Sequence, residues 1–325
     1  MKTITLEEHF VSPSFLAGPG KELQEQAKNP DSYIGKLFKQ LREVGDKRIA
    51  EMDSAGIDMQ VLSLNSPGTE QMDAGDARAI ARETNDFLAN AINGHPGRFA
   101  GFACLPTADP KAAAVELQRA VQEHNFKGAI VNGHVKGRYL DDPFFRPILE
   151  QAAALDVPIY LHPTIPPRAV VDTYYAGFGP SVTNMLAGAG WGWHIETAVH
   201  VIRLMLGGVF DEFPKLQIII GHMGEALPFM LQRLDRIMSP TGTQFKRPIS
   251  AYLRENIFYT FSGFNYTSTF LDLLLEVGVD RIMFSVDYPY ASMTQGKDFL
   301  SKIPVSPADR ERIAHGNAER LLRIG

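Results

Sequence analysis

Five residues that could bind a metal or transfer a proton lie at the ends of short apolar segments of this chain. Glu7 and His9 end the segment TITLEEH, while His162, His222 and Asp287 lie at the ends of PIYLHP, QIIIGH and IMFSVD. Charged and polar side chains at the end of a strand that enters a core are costly unless they are paired, protonated or bound to a cation. Because Glu7 and His9 are two residues apart, their side chains are expected on the same face of a strand.

Imidazole and carboxylate groups together favour a divalent metal such as zinc, manganese or iron. A single histidine at a strand end is more commonly a hydrogen-bonded structural residue, but five such positions in one chain favour a metal site. Glu8 should face away from this site and make a structural contact. The other histidines fall in helices or turns and are interpreted as ordinary residues, with a role left open for His194 and His200. These six are His95, His124, His134, His194, His200 and His315.

The elements that must position these residues alternate between strand and helix. Segments rich in Val, Ile and Phe predict eight strands, at 3–9, 57–64, 99–106, 128–133, 158–163, 217–222, 257–262 and 282–287. Near-continuous apolarity is typical of parallel strands that are covered on both faces. Amphipathic patterns and capping residues predict helices near 37–55, 75–99, 193–212, 226–238, 268–277 and 307–323, and after Asp109 and Asp142.

This alternation predicts a distorted (β/α)8 barrel that forms one domain over residues 1–325. Long loops are expected after the first and fifth strands, at 11–36 and 164–192. An open doubly wound sheet would need a glycine-rich phosphate turn after its first strand, and the sequence has none. In a barrel the carboxyl ends of all strands meet at one mouth, so the five polar strand-end residues should converge there.

Composition excludes several classes of protein. Of the 325 residues 45% are hydrophobic and 21% charged, and the formal net charge of −5 gives no basic footprint for nucleic acid or an anionic membrane. No apolar stretch approaches the roughly 18 residues of a membrane span, and the first residues lack a secretory apolar region. The single cysteine, Cys104, lies in an apolar segment and is expected to be buried and free. We therefore expect a soluble, cytoplasmic protein.

The polar strand ends also resemble a known group of enzymes. The motifs Glu7-x-His9, YLHP, GHMGE and FSVDYPY, with VFDEFPKLQIIIGHMGE as one block, resemble the amidohydrolase superfamily. Within it the chain is similar to metal-dependent decarboxylases of γ-resorcylate, 2,3-dihydroxybenzoate, 5-carboxyvanillate and aminocarboxymuconate semialdehyde. The resemblance implies one divalent metal, with zinc as first choice and manganese or magnesium as alternatives. Its implied ligands are Glu7, His9, His162 and Asp287. No lysine ends the fourth strand, so a bridged metal pair is not expected.

The resemblance further implies the surroundings of the metal. His222 would lie beside it, hydrogen-bonded to Glu225, and Asn65 and Ser262 would line the substrate pocket. Arg233 matches a position that reaches a neighbouring subunit in some relatives, which predicts a homodimer or homotetramer. Phe10, Phe15 and Tyr290 are candidate apolar walls for an aromatic ring, with ordinary packing as the equal alternative.

Three functions compete on this basis. The favoured one is nonoxidative decarboxylation of an ortho-hydroxy aromatic acid, with Asp287 as proton donor to the ring and His222 with Glu225 at the phenolic oxygen. The second is hydrolysis of a lactone, ester or amide by metal-bound water. The third is a catalytically silent barrel that serves as a binding or scaffold protein, and metal analysis separates it from the other two.

Overall fold

Nine short strands form the centre of the part of the molecule that the structure describes. A computed structural model of the chain describes residues 1–239 and 245–325. Its strands are β1 Ile4–Phe10, β2 Met59–Leu64, β3 Phe99–Gly101, β4 Ala103–Cys104, β5 Ala129–Asn132, β6 Ile159–His162, β7 Ile218–Ile220, β8 Ile257–Thr260 and β9 Ile282–Met283.

All neighbouring strands are parallel, and they close into a barrel. β1, β2 and β3 pair in that order, and β4 to β9 pair in that order. β3 and β4 are two parts of the predicted strand 99–106, because the amide of Phe102 still donates to Leu62 O at 2.9 Å while the amide of Ala103 donates to Gly128 O on the other side. A parallel bridge between Leu6 and Ser285 joins the last strand position to the first. The (β/α)8 prediction is confirmed.

Helices surround the strands and fill the long connections. In chain order the α-helices are α1 Pro13–Ala17, α2 Lys21–Gln26, α3 Tyr33–Leu41, α4 Asp46–Ala55, α5 Ala74–Gly94, α6 Pro110–His124, α7 Arg146–Leu155, α8 Arg168–Val170, α9 Pro180–Ala187, α10 Gly192–Leu206, α11 Val209–Glu212, α12 Leu227–Met238, α13 Ile249–Glu255, α14 Thr267–Val277, α15 Met293–Lys302, α16 Pro307–Glu311 and α17 Asn317–Leu322. Single 3₁₀ turns cover Pro143–Phe145, His222–Gly224 and Val279–Arg281, and π turns cover Val171–Tyr175 and Arg312–Gly316.

The two long connections are present, but they are not irregular loops. Segment 11–36 contains α1, α2 and the start of α3, and segment 164–192 contains α8 and α9. α1 begins where Ser12 Oγ accepts from the amide of Phe15 at 3.1 Å and Pro13 occupies the first helical position. Helices of three to eight residues span too few turns to produce an amphipathic period, so the sequence predicts loops at these places.

The core has an inner and an outer part. The inner part fills the barrel with side chains such as Leu6, Val61, Phe102 and Ile219, and the outer part packs the strands against the helices. Cys104 is buried and free, as predicted. Across residues 1–239 and 245–325, we find no helix whose length and apolar character would let it cross a membrane. The single-domain organisation and the cytoplasmic location stay predictions.

Candidate metal and active site

A cavity of about 1050 Å³ opens at the carboxyl-terminal mouth of the barrel. Its lining contains most of the polar residues that the sequence placed at strand ends: His9, His162, His222, Ser262 and Asp287. The long connection after β6 supplies one wall of the cavity through residues such as Ile165 and Trp193. The convergence expected at one barrel mouth is therefore observed.

A bulge in β1 separates two adjacent glutamates. The pairing of β1 with β2 shifts register between Thr5 and Glu8, and Glu7 has a φ of 64°. Glu8 is fully buried and accepts from the amides of Val286 at 2.9 Å and Tyr288 at 3.1 Å. Burial raises the pKa of Glu8 to about 8. Its predicted structural contact is confirmed: it ties β1 to the segment that carries Asp287.

The Glu7 carboxylate has one oxygen paired and one free. Tyr160 and Ser262 both donate hydroxyl hydrogen bonds to Glu7 Oε2. Glu7 Oε1 is buried and has no hydrogen-bond partner among the described residues. The backbone of Gly221 lies so close that a Cβ there would stand 2.5 Å from Glu7 Oε2, so a glycine is needed beside this carboxylate. Burial, with the nearby Asp287 carboxylate, raises the pKa of Glu7.

Two imidazoles lie beside the carboxylates, and one of them presents a lone pair. His162 Nδ1 lies 2.7 Å from Pro163 O and must donate to it, which leaves His162 Nε2 unprotonated at 3.3 Å from Glu7 Oε1. His9 Nε2 lies 3.1 Å from Asp287 Oδ1. Burial, with His9 and His222 nearby, holds the pKa of His162 well below its usual range, so this ring is neutral.

These spacings fit a divalent cation. Two donor atoms that are each about 2.0–2.1 Å from a tetrahedral metal lie about 3.3 Å apart, and the two separations above are 3.3 and 3.1 Å. Donor atoms of Glu7, His9 and His162 all lie within 4.8 Å of one another. An acceptor that faces an acceptor in a buried site is unfavourable without a cation between them. A divalent metal between them would bind both the unpaired Glu7 oxygen and the unprotonated His162 nitrogen.

A second cluster lies beside the first, on the turn between β7 and α12. His222 Nδ1 is 2.7 Å from Glu225 Oε1, which confirms the predicted hydrogen bond, and His222 Nε2 lies 4.0 Å from Glu7 Oε1. Glu225 Oε2 lies 2.6 Å from His194 Nδ1. Burial disfavours the charged form of His222, but Glu225 and Glu7 outweigh it and raise its pKa to about 10. Burial likewise opposes ionisation of Glu225, yet His222 and His194 lower its pKa to about 2.

The predicted substrate residues divide into two groups. Asn65, Ser262 and Tyr290 line the cavity, and the Tyr290 hydroxyl donates to Asn65 Oδ1 at 2.7 Å. Phe10 and Phe15 are 1% and 0% exposed and belong to the hydrophobic core instead of the cavity lining. Of the two alternatives for these residues, ordinary packing is the one observed: Phe10 ends β1, Phe15 lies in α1, and neither ring lines the cavity.

Arg233 does not reach the cavity of its own chain. It lies on α12 as an exposed residue and is not among those that line the cavity. A role for Arg233 at a cavity would therefore require a second subunit and stays a prediction.

Several cavity and network residues were missed. His194 and Trp193 lie at the start of α10, and Phe264 and Thr164 follow β8 and β6. Tyr160 lies inside β6, where its hydroxyl reaches Glu7. A polar residue at the end of an apolar strand stands out in the sequence. A residue that reaches the barrel mouth through a long connection has no such local signal. For His194 the one available hint was its position next to the long connection 164–192.

The fold and the site define a (β/α)8-barrel metalloenzyme, and comparison with known proteins places it in a family. A family model described as Amidohydrolase matches residues 38–324. The γ-resorcylate decarboxylase of Rhizobium sp. is 40% identical over 336 residues, covering 99% of this chain and 98% of that protein. This chain belongs to the amidohydrolase family, as its motifs predicted.

Solved structures agree over the whole length. The dihydroxybenzoic acid decarboxylase from Polaromonas sp., with bound manganese and the inhibitor 2-nitroresorcinol, has a TM-score of 0.90 and 38% identity, covering 99% of this chain and 97% of that one. A 2,6-dihydroxybenzoate decarboxylase complexed with 2,6-dihydroxybenzoate has a TM-score of 0.90 and 39% identity, covering 100% of both chains.

Proposed function

We propose that this protein is a metal-dependent nonoxidative decarboxylase that releases CO2 from an ortho-hydroxy aromatic carboxylic acid and leaves a phenol. The observation that carries the proposal is the group of donor atoms from Glu7, His9 and His162, which lie within 4.8 Å of one another. Asp287 Oδ1 lies 3.1 Å from His9 Nε2, and the group borders a cavity of about 1050 Å³. Full-length similarity to γ-resorcylate decarboxylases supports the same reaction class.

The metal we propose is a single Mn²⁺, held by Glu7, His9, His162 and Asp287. Zinc was the first expectation, with magnesium as another alternative, but the similar Polaromonas structure holds manganese. Imidazole with carboxylate ligands suits either Mn²⁺ or Zn²⁺. When bound, the metal would supply a Lewis acid for the substrate's carboxylate and ortho oxygen.

Asp287 is the proposed proton donor. Its side chain faces the cavity, is 17% exposed, and lies 3.1 Å from His9 Nε2. In the protonated form it gives its proton to the ring carbon that bears the carboxylate. The bond between that carbon and the carboxylate then breaks, the electron pair returns to the ring, and CO2 leaves. Protonating the carbon first provides a place for the electron pair to restore aromaticity.

The remaining cavity groups orient the substrate. His222, held through Nδ1 by Glu225, presents Nε2 to the cavity and would hold the phenolic oxygen. Tyr290 stands with its ring 5.7 Å from that of His9 and hydrogen-bonds Asn65, so these two can contact the substrate ring and its second substituent. Ser262 acts on Glu7, to which it donates a hydrogen bond.

A substrate panel tests the function. Mn²⁺-loaded protein is incubated with 2,6-dihydroxybenzoate, 2,3-dihydroxybenzoate, salicylate and 5-carboxyvanillate, and CO2 and phenols are measured. Release of CO2 with the matching phenol is expected for at least one acid. Absence of CO2 release from every acid, with hydrolysis of a lactone, ester or amide, would overturn decarboxylation in favour of the hydrolytic alternative.

Large apolar side chains on the surface support a homodimer or homotetramer. Phe229 on α12 is 79% exposed and Leu275 on α14 is 82% exposed, and these two helices contact each other. Met185 and Trp191, near the start of α10, are also exposed. Large exposed apolar side chains are candidates for an interface between subunits, and Arg233 lies on the same helix as Phe229. Light scattering at micromolar concentration should give at least twice the chain mass of 36.0 kDa; a monomer would contradict the proposal.

A further inference from the structure

His194 completes a hydrogen-bonded chain that the reaction scheme above does not use. The two oxygens of Glu225 are each held by one imidazole: Oε1 by His222 Nδ1 at 2.7 Å and Oε2 by His194 Nδ1 at 2.6 Å. The rings of His194 and His222 are 4.6 Å apart at 67°. Glu225 is 1% exposed, so His194 is the group that satisfies its second oxygen.

The partners on both sides of the His194 ring fix which nitrogen carries the proton. The indole Nε1 of Trp193 lies 3.1 Å from His194 Nε2, and an indole N–H can only donate. On the other side of the ring, the Glu225 carboxylate oxygen can only accept, so His194 Nδ1 carries a proton and donates to it. In the neutral ring Nε2 is then unprotonated and accepts from the Trp193 indole. Ala189 O, also 3.1 Å from Nε2, would become the partner only for a doubly protonated ring.

The three groups form a hydrogen-bonded cluster, not a second metal site. Donor atoms that share a tetrahedral metal lie about 3.3 Å apart, whereas the two contacts to Glu225 are 2.6 and 2.7 Å. Each close contact is already accounted for by an N–H donor and a carboxylate oxygen. The two hydrogen bonds hold His194, Glu225 and His222 in one relative orientation.

We propose that His194 is a positioning residue for the His222–Glu225 pair, and that the Trp193 indole fixes its tautomer. By holding Glu225 Oε2, His194 prevents the carboxylate from rotating, so that Oε1 stays with His222 Nδ1 and His222 Nε2 points into the cavity. Trp193 lines that same cavity and hydrogen-bonds His194. A residue of the cavity wall is therefore in direct contact with the residue that orients His222. This inference rests on the proposed function.

Two substitutions separate positioning from packing. His194→Phe keeps a ring against Phe264, whose ring lies 5.4 Å away, but removes the donor to Glu225. His194→Asn keeps an N–H near the position of Nδ1. In Mn²⁺-loaded protein we expect His194→Phe to lower kcat by about 10–100-fold, the range for losing an outer hydrogen-bond partner. His194→Asn should stay within about threefold of wild type, and KM should change by less than about threefold in both.

Controls and a second readout keep the test decisive. Metal content should be unchanged in both variants. The thermal midpoint should fall in His194→Phe, which leaves a buried Glu225 oxygen unpaired, and stay near that of wild type in His194→Asn. His194→Leu replaces His194→Phe if the latter does not fold. In zinc-loaded protein with ¹⁵N-labelled histidine, the ring nitrogen signals of His222 should move in His194→Phe and stay in His194→Asn. Equal kcat losses in the two variants, or a near-normal kcat in His194→Phe, would overturn the proposal, as would unmoved His222 signals. Lack of CO2 release by wild type would instead refute the decarboxylase function, because the nitrogen signals do not depend on turnover.

Discussion

Two clusters of histidine and carboxylate lie side by side at the barrel mouth, and their spacings differ. In the metal cluster, His162 Nε2 and Glu7 Oε1 are 3.3 Å apart, with acceptors facing each other. In the hydrogen-bonded cluster, Glu225 lies 2.6 and 2.7 Å from two imidazole N–H groups. The same residue types therefore do different chemistry, because the position of each ring proton decides whether a cation is needed between them.

The two clusters also shift the pKa values of two neighbouring histidines in opposite directions. The rings of His162 and His222 are 6.4 Å apart. Burial and the surrounding imidazoles hold the pKa of His162 well below its usual range. The carboxylates of Glu225 and Glu7 overcome burial and raise the pKa of His222 to about 10. A neutral ring suits a metal ligand, and a ring with a bound proton suits the orientation of a phenolic oxygen.

The largest effect is expected from removing a proposed metal ligand. His162→Ala should lower the metal content far below that of wild type. The loss in metal affinity should exceed the 10–100-fold loss, about one to two orders of magnitude, that follows from removing a hydrogen-bond partner of a ligand. CO2 release should fall with it, and added Mn²⁺ should restore little. Elemental analysis and CO2 assays measure both quantities.

His134→Ala is the matched control for this prediction. His134 lines the same cavity, but its ring contacts Ile165 O and the amide of Gly137, away from the metal cluster. Its metal content should equal that of wild type. If His134→Ala and His162→Ala lost metal equally, the assignment of the cluster would be wrong.

Asp287→Asn should separate metal binding from turnover. The amide keeps an oxygen for the metal but has no carboxylic proton to give. Loss of a positioned general acid costs about 10²–10⁴-fold in rate, while metal affinity should fall by no more than about 10–100-fold. The measurement is kcat at saturating Mn²⁺ beside the metal content. A metal-loaded variant with near-normal CO2 release would remove Asp287 as the donor.

Gly221→Ala should disturb the metal cluster without removing a ligand. The added Cβ would stand 2.5 Å from Glu7 Oε2 and 2.8 Å from Ser262 Oγ, so the carboxylate must move. The φ of Gly221 is −85°, which alanine adopts freely, so the effect is steric and not backbone strain. We expect an about 10–100-fold weaker metal affinity, measured by competition with a chelator.

Gly75→Ala provides the comparison for Gly221→Ala. Gly75 lies in the first turn of α5, and a Cβ there would meet nothing within 4 Å among the described residues. Its metal affinity should be that of wild type. Unchanged affinity in Gly221→Ala as well would mean that the Glu7 carboxylate can shift without loss of the site.

The sequence predicted the barrel well because its strands carry their signal locally. Each of the eight predicted segments contains observed strand residues, since buried parallel strands have continuous apolar runs. The short helices in the connections were missed because their order comes from caps such as Ser12 and from packing, not from periodicity. The break of the third strand at Phe102 has no separate signal either.

The site residues likewise divide into those with a local sequence signal and those without one. Glu7, His9, His162, His222 and Asp287 were found because a polar residue at the end of an apolar run is anomalous. His194 lies at the start of a helix, where a histidine is ordinary, and it reaches Glu225 only through the path of a long connection. Phe10 was a candidate wall of the cavity with ordinary packing as the equal alternative, and its ring packs against that of Phe87, 6.1 Å away.

The smallest effect on turnover is expected from a buried carboxylate that lacks histidine partners. Glu70 is 1% exposed, and its Oε1 accepts from the amide of Asn132 at 2.9 Å. Burial raises its pKa from 4.5 to about 7, whereas that of Glu225, between two imidazoles, is lowered to about 2. Glu70 thus shows how burial raises the pKa of a carboxylate when hydrogen-bond donors such as the Asn132 amide oppose the shift only in part.

The sign of the pH dependence follows from the raised pKa. Between about pH 4.5 and pH 7 the folded protein keeps the Glu70 proton that the unfolded chain loses, so the free energy of unfolding falls as pH rises through this window. Glu70→Gln cannot lose a proton and keeps an oxygen for the Asn132 amide. Its stability relative to wild type should therefore increase from pH 5 to pH 8, by up to about 3 kcal/mol, measured by urea denaturation at both values. A stability difference that is the same at pH 5 and pH 8 would mean that the amide of Asn132 holds Glu70 charged in spite of its burial, and the contrast with Glu225 would then be one of degree.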